Sequence, residues 1–365
     1  SREAAYYLKR MIITFSLGLI FASVLGIGMG FIGEPGSHLD QNTREVLGST
    51  MMNEEEAITE QTATQGDFTV LNFMIMLIPT NLFQSLVAEQ NLQVLFVAVV
   101  FGVAIGTIQE KRRDDVLAFF EVAYKSFEKM IAWTMYGLPF GLLCIISDQF
   151  ANMGTDLLFS MTKFIIVIYV SCFLLIVISA TVIWKVKKRS VIESTIDLKQ
   201  PLLIAFGTRN SLATLPFIFH VLQKNYRLKD EAVNLVVPLS IIICRYSMVI
   251  VFSIGTVFIA QLYNIPLGFS QIVLIIFGSI FAAIAGAGAP VLVSLSMITL
   301  ILTPLGLPSE TAIVLLMTVI PIIDPILTML NVHLTCTSSV LIDRPKGKSK
   351  DLEMMEKNKV FQPSS

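Results

Sequence analysis

A few side chains in this 365-residue sequence combine charge with apolar surroundings, and they limit what chemistry the chain can do. Arg245 stands within VVPLSIIICRYSMVIVFSIGTVFIAQL, and no Asp, Glu, Lys or Arg follows it until Glu310. Asp324 is the sole acid between Glu310 and Asp343, and Arg209 belongs to the polar quartet Thr208-Arg209-Asn210-Ser211 between two apolar stretches. Charges in such settings are costly and mark ion pairs, wet cavities or ligand contacts. Ala285-Gly286-Ala287-Gly288-Ala289-Pro290 cannot continue a helix, because glycine adds backbone entropy and proline lacks an N–H. A break at bilayer depth persists only where protein or water satisfies the freed backbone. Broken segments combined with rare intramembrane charges are how solute-transport sites are built. The plainer readings are a kink at the glycines and a structural ion pair between Asp324 and Arg245 or Arg209.

The composition narrows the classes. The chain is 54% hydrophobic and 15% charged, against about 25% charged in soluble domains. It therefore reads as an all-α, polytopic membrane protein. A net charge of −1 argues against a nucleic-acid partner. Cys144, Cys172, Cys244 and Cys336 lie at unrelated spacings in apolar segments, and His38, His220 and His333 show no metal-ligand spacing. There is no P-loop, no dinucleotide fingerprint and no nucleophile–base pair, so neither an enzyme nor a cofactor is expected.

The elements that must position these residues follow from apolar lengths and basic flanks. Residues 11–32 are long enough to span, and Gly18, Gly26, Gly28 and Gly30 suggest close helix packing. Residues 34–67 form an acidic, external loop, and Pro79-Thr80-Asn81 breaks the next segment. Further apolar runs cover 92–108, 116–146 (with Trp133 and Tyr136 as interfacial anchors) and 157–184. The basic flanks at Lys9-Arg10, 111–113, 185–189 and 344–350 should be cytoplasmic, and 148–156 external. Residues 201–222 are then flanked by basic residues on both sides, so this run must enter and return as a hairpin with Thr208-Arg209-Asn210-Ser211 at its tip. Residues 269–302 mirror it from the external side, with a tip at Gly286, Gly288, Ala289 and Pro290. Two opposed re-entrant hairpins place a site near the midplane. The chain divides into 1–115 (partial scaffold), 116–200 (two transmembrane helices), 201–345 (core transport domain) and a disordered cytoplasmic tail, 346–365.

Several of these residues resemble the dicarboxylate/amino acid:cation symporter family, the family of the glutamate transporters. Thr208-Arg209-Asn210-Ser211-Leu212-Ala213-Thr214-Leu215-Pro216 is similar to its serine-rich first hairpin, and Ile78-Pro79-Thr80-Asn81 to its proline turn. Gly286 to Pro290 resemble the second hairpin tip, Leu305-Gly306-Leu307-Pro308 its exit, and Asp324, Thr328, Asn331 and Val332 the last-helix pattern. The match begins at the family's third transmembrane helix, so the chain reads as truncated rather than as a different fold. The resemblance implies a homotrimer in the plasma membrane and a transport domain that moves as an elevator behind a second-hairpin gate. It also implies secondary symport of a small amino acid or carboxylate. Asp324 would hold the solute's amine, and Asn331 and Ser211 its carboxylate, with Thr328, Asn210, Arg209 and Arg245 as further contacts.

The departures from the family concern the coupling ion. Cys244, Arg245 and Tyr246 stand where the family has Asn, Met and a sodium-binding Asp; Thr335 replaces a second such Asp; and Leu327 replaces the arginine that grips acidic side chains. The cation or former cation site comprises Cys244, Tyr246, Ser240, Asn331 and Thr335. Sodium coupling is therefore doubtful, Arg245 is a tethered cation in its place, and His333 offers a proton alternative. The competing class is a transport-inactive receptor, sensor or scaffold that retains the fold.

Overall fold

The computed structural model describes residues 2–36, 78–87, 91–107, 110–134, 161–187, 191–287 and 291–343, and every element among them is helical. Most of the loops at 34–67 and 148–156, the tail after Asp343, Cys144, His38, and Gly288, Ala289 and Pro290 of the expected gate lie outside the described residues. In chain order the helices are α1 (Arg2–Gly33), α2 (Leu82–Val87), α3 (Asn91–Gly106), α4 (Glu110–Thr134), α5 (Thr162–Lys187) and α6 (Val191–Asp197). They continue with α7 (Lys199–Thr208), α8 (Leu215–His220), α9 (Asp230–Ile243), α10 (Tyr246–Leu262), α11 (Phe269–Ala285), α12 (Val291–Ser296), α13 (Thr299–Leu302) and α14 (Ser309–Ile342). Among the described residues, four stretches are long and apolar enough to cross a bilayer: Tyr6–Gly33, Thr162–Lys187, Asp230–Leu262 and Ala312–Ile342.

Helix α10 is the centre of the bundle, buried from Tyr246 to Ala260. α1 lies along it in parallel, and glycine sets the approach. A methyl group added at Gly18 would stand 2.9 Å from the Tyr246 ring, one at Gly26 3.0 Å from Ser253, and one at Gly30 3.0 Å from Val257. These positions share one face of α1, whereas Gly28 faces away and meets nothing within 4 Å. Ser23 Oγ lies 3.0 Å from Ser253 Oγ and 2.9 Å from Ser279 Oγ, which joins α1, α10 and α11. Ser279 donates to the Ile276 carbonyl at 3.1 Å, and each hydroxyl has one proton, so the chain of donation runs Ser253 to Ser23 to Ser279.

Helix α5 runs parallel to α14, tied by Tyr169 donating to the Ile322 carbonyl (2.8 Å) and by Ser179 against His333 Nδ1 (2.8 Å). The sequence division puts α1 and α5 outside the 201–345 region, yet both lie against it along their lengths. α4 meets the same body where the Tyr124 ring tilts against Phe219 at 6.3 Å.

Two helical hairpins enter this bundle from opposite ends. The first consists of α7, a short 3-10 turn at Leu212–Thr214, and α8 continued by a π turn over Val221–Asn225. Its arms have 10 and about 11 residues, so each is about 15–17 Å long, half of a ~30 Å hydrocarbon core. Its base is fastened by Asn225 donating to Asp197 (3.0 Å) and Lys187 donating to the Tyr226 carbonyl (3.1 Å). That end of the molecule also holds Arg10 donating to the Leu341 carbonyl, and Asp343 accepting from the Lys229 N–H. The second hairpin starts after α10 at the other end. Gly278 faces Ile301 and Gly286 faces Ser294, a pairing only antiparallel arms give. Gly306, at φ +66°, turns the chain out of it into α14.

Candidate functional site

Three helix C-termini lie around Asp324 and Arg245. α7 ends at Arg209, a non-glycine residue in the left-handed region (φ 54°, ψ 23°) whose N–H closes on the Ala205 carbonyl at 3.0 Å. Such a conformation costs about 1–3 kcal/mol and persists where the surroundings enforce it. α9 ends at Cys244 and α10 starts at Tyr246, leaving Cys244 (φ −91°, ψ 79°) and Arg245 (φ −84°, ψ 65°) outside either helix. α11 ends at Gly286. Carbonyls left over at such ends carry partial negative charge and attract cations. Here the cations are side chains: Arg245 Nη1 donates to the Gly286 carbonyl at 3.5 Å, and Ser294 Oγ donates to the same oxygen at 2.6 Å.

Asp324 faces both tips from the middle of α14. It interacts electrostatically with Arg209 and Arg245, and the Thr328 hydroxyl, one turn on, hydrogen-bonds it. Neither guanidinium comes within 4.0 Å of its carboxylate, so the direct structural ion pair is not formed. Arg209 Nε is buried with no hydrogen-bond partner. Pro321 and Pro325 flank Asp324 inside α14 and remove two backbone donors around it.

Below Asp324, the same face of α14 carries Asn331, Thr335 and Ser338 at helical spacing, and every one is already engaged. Asn331 Oδ1 accepts from the Ser247 N–H (3.0 Å) and its Nδ2 donates to Ser247 Oγ (2.7 Å), which caps the first turn of α10 from another helix. Thr335 Oγ1 lies 3.1 Å from Ser240 Oγ, and the Tyr246 hydroxyl 3.1 Å from Ser338 Oγ. Cys244 is buried beside them.

At the first tip, Asn210 is exposed and its Oδ1 accepts from the Leu212 N–H (2.9 Å), a turn-forming role. The Ser211 carbonyl accepts from Thr214, and its half-buried side chain lies at the same tip. His333 is fully buried, held by Ser179, whose own proton goes to the Ile176 carbonyl (2.8 Å). Its Nε2 has no partner. The structure thus brings Asp324, Thr328, Arg209, Arg245 and Gly286 together, and gives Asn331, Thr335, Ser240 and Tyr246 to a seam between helices.

Sequence reasoning did not single out Ser247, Ser294, Ser338, Tyr169 or Ser179. Part of the signal was present: 324, 328, 331, 335 and 338 recur at intervals of three and four, a polar stripe on an apolar helix.

A profile of the sodium:dicarboxylate symporter family matches residues 2–345. The chain belongs to the sodium:dicarboxylate symporter family. Similar proteins include the proton/sodium-glutamate symport protein of Bacillus subtilis, 26% identical over 343 residues, covering 93% of this chain and 76% of that one. The C4-dicarboxylate transport protein of the same organism is 25% identical over 288 residues (77% and 66%), and the proton/glutamate-aspartate symporter of Escherichia coli 24% over 305 (82% and 68%). The chain therefore spans about two thirds to three quarters of the length of these relatives. This family is one of transporters, not enzymes, which agrees with the resemblance read from the hairpin motifs.

Proposed function

We propose that this chain is the transport-competent part of a secondary transporter for a small amino acid or carboxylate. The carrying observation is that the tip of each helical hairpin is linked to the same place, Arg209 of the first by its interaction with Asp324 and Gly286 of the second by its bond to Arg245 at the α9–α10 break. A solute amine would sit on Asp324, and a carboxylate on Arg209, Arg245 and the Ser211 hydroxyl. Thr328 supports Asp324, and Asn331 steadies the start of α10 beside the site through Ser247. The Gly286 tip would act as the gate. Movement of the hairpin-bearing body as an elevator, homotrimeric assembly, residence in the plasma membrane and a cytoplasmic basic end all belong to this proposal. The exposed Phe119, Val122 and Phe127 of α4 suit lipid or a neighbouring protomer.

The test is uptake of radiolabelled carboxylates and amino acids into liposomes holding the full-length protein. Uptake above protein-free vesicles, abolished in Asp324→Asn, is the expected result; unaltered uptake by that variant refutes the assignment. The internally paired hydroxyls at the former cation positions favour a second reading, a transport-inactive receptor or scaffold. Solute-induced thermal stabilisation without any uptake would select it.

A further inference from the structure

We infer that Arg245 is a built-in substitute for a coupled cation, so that the site takes a solute of net charge −1 and carries it without sodium or a proton. This rests on the transport reading above and extends it to the charge of the solute and the sign of the current.

At the hairpin tips two guanidiniums face one carboxylate, and neither closes a direct pair with it. Arginine does not lose its proton in proteins, so the excess of one positive charge is permanent. The C-terminal ends of α7, α9 and α11 each carry about half a negative charge, and the N-terminal ends of α8, α10 and α12 that begin beside them about half a positive one, so the helix ends largely cancel and leave the side-chain excess. Arg209 Nε, buried and unpartnered, shows that one donor is still free. An uncompensated charge at this depth is costly, and an anion of single charge removes the cost. Carboxylate is the group whose two oxygens match a guanidinium fork.

Two of these relatives are named for symport with sodium or protons, and the same region of this chain has few oxygens free to hold a metal ion. A hard cation needs several free oxygens. Here Ser240 is spent on Thr335, Tyr246 on Ser338, and the Asn331 oxygen on the Ser247 N–H. Among the described residues no cluster of three or more His, Cys, Asp or Glu exists. The carbonyl of Gly286 is taken by Ser294 and by Arg245 itself. The guanidinium thus occupies the junction between the α9 terminus and the second hairpin tip. The loaded site is then neutral and the emptied one carries one positive charge back. Inward transport of the anion is driven by an inside-positive potential.

The experiment uses the full-length protein in liposomes with L-aspartate and L-lactate (net −1), L-alanine (net zero) and succinate (net −2) as labelled probes. Potassium gradients with valinomycin set the potential, in sodium or choline medium, with and without a pH gradient. The expected result is uptake of a net −1 probe that changes less than twofold between sodium and choline. A shift of about 60 mV toward inside-positive should raise its accumulation ratio about tenfold, the response of a single charge. Arg245→Met should lower apparent affinity for that probe at least tenfold. Arg245→Lys should keep the net −1 preference and the response to potential, and it reports on the charge even where the Met variant does not fold. A tenfold requirement for sodium or a proton gradient, stimulation by an inside-negative potential, or preference for alanine or succinate overturns the inference while leaving the transport reading intact. No binding or uptake of any of the four probes overturns both.

Discussion

Two halves of one helix face set the terms for this molecule. On α14 the polar stripe begins with Asp324 and Thr328 and ends with Asn331, Thr335 and Ser338. At the upper half, charge is present in excess and a buried Arg209 nitrogen has no partner. At the lower half Asn331, Thr335 and Ser338 are each matched by a group of α9 or α10 at 2.7 to 3.1 Å. The residue types differ little between a ligand site and a helix seam; what differs is whether the bonding capacity is already used. A group whose partners are all within the protein stabilises the fold, and one left short is available to a solute.

The largest expected effect tests the upper half. Asp324→Asn leaves the two guanidiniums without a counter-charge and should reduce solute uptake more than a hundredfold, measured with the liposome assay. Because Asn keeps the size and a hydrogen-bonding group, thermal melting in detergent should move far less than uptake does. Wild-type uptake in this variant would erase the distinction between the halves.

Next come the glycines that let α1 reach α10. Gly26→Ala sets a methyl group against Ser253 at 3.0 Å, with the Ile250 backbone at 3.5 Å behind it. Overpacking of this kind costs about 1–3 kcal/mol. Gly28→Ala meets nothing and should gain up to about 1 kcal/mol from helix propensity. Thermal melts of the pair should therefore move in opposite directions; equal shifts would mean that α1 does not lie on α10 as described.

Thr335→Val probes the lower half. It strands Ser240 Oγ and should cost about 0.6 to 1.7 kcal/mol, the measured range for interhelical hydrogen bonds in membranes. The double change Ser240→Ala with Thr335→Val removes both partners and should recover most of that loss. Solute affinity should stay within twofold in either variant. A tenfold loss of affinity would move Thr335 from seam to site and sharpen the boundary upward or downward accordingly. The smallest effect is expected from Ser294→Ala, which removes one of the two donors to the Gly286 carbonyl and leaves Arg245 in place. Its melt should fall by about 1 kcal/mol, with uptake retained.

Much of this was legible in the sequence, for identifiable reasons. The first hairpin follows from basic residues on both flanks of one apolar run, a constraint that no single crossing satisfies. The stripe on α14 follows from its three- and four-residue intervals, and the close packing of α1 from its glycines, although Gly28, grouped with Gly18, Gly26 and Gly30 by composition, lies off the packed face. The division of labour along the stripe was not legible. Asn331 has the same side chain whether it meets a carboxylate or caps α10, and only the placement of Ser247 decides between them. The packing of α1 and α5 on the 201–345 region was hidden for another reason: basic flanks report which side a helix end lies on and say nothing of its neighbours. The plainer reading of a direct Asp324 ion pair fails on distance alone, which no residue pattern encodes.

The three serines at the α1–α10–α11 junction fix one limb of the second hairpin by hydroxyl bonds, and Leu295, Ile298, Ile301 and Leu302 bury the other limb in the same core. A shift of that element would therefore trade directional hydroxyl bonds on one side for apolar contacts, which have no preferred register, on the other. Where the two limbs approach each other, the Gly286 carbonyl is held by Ser294 at 2.6 Å and by Arg245 at 3.5 Å.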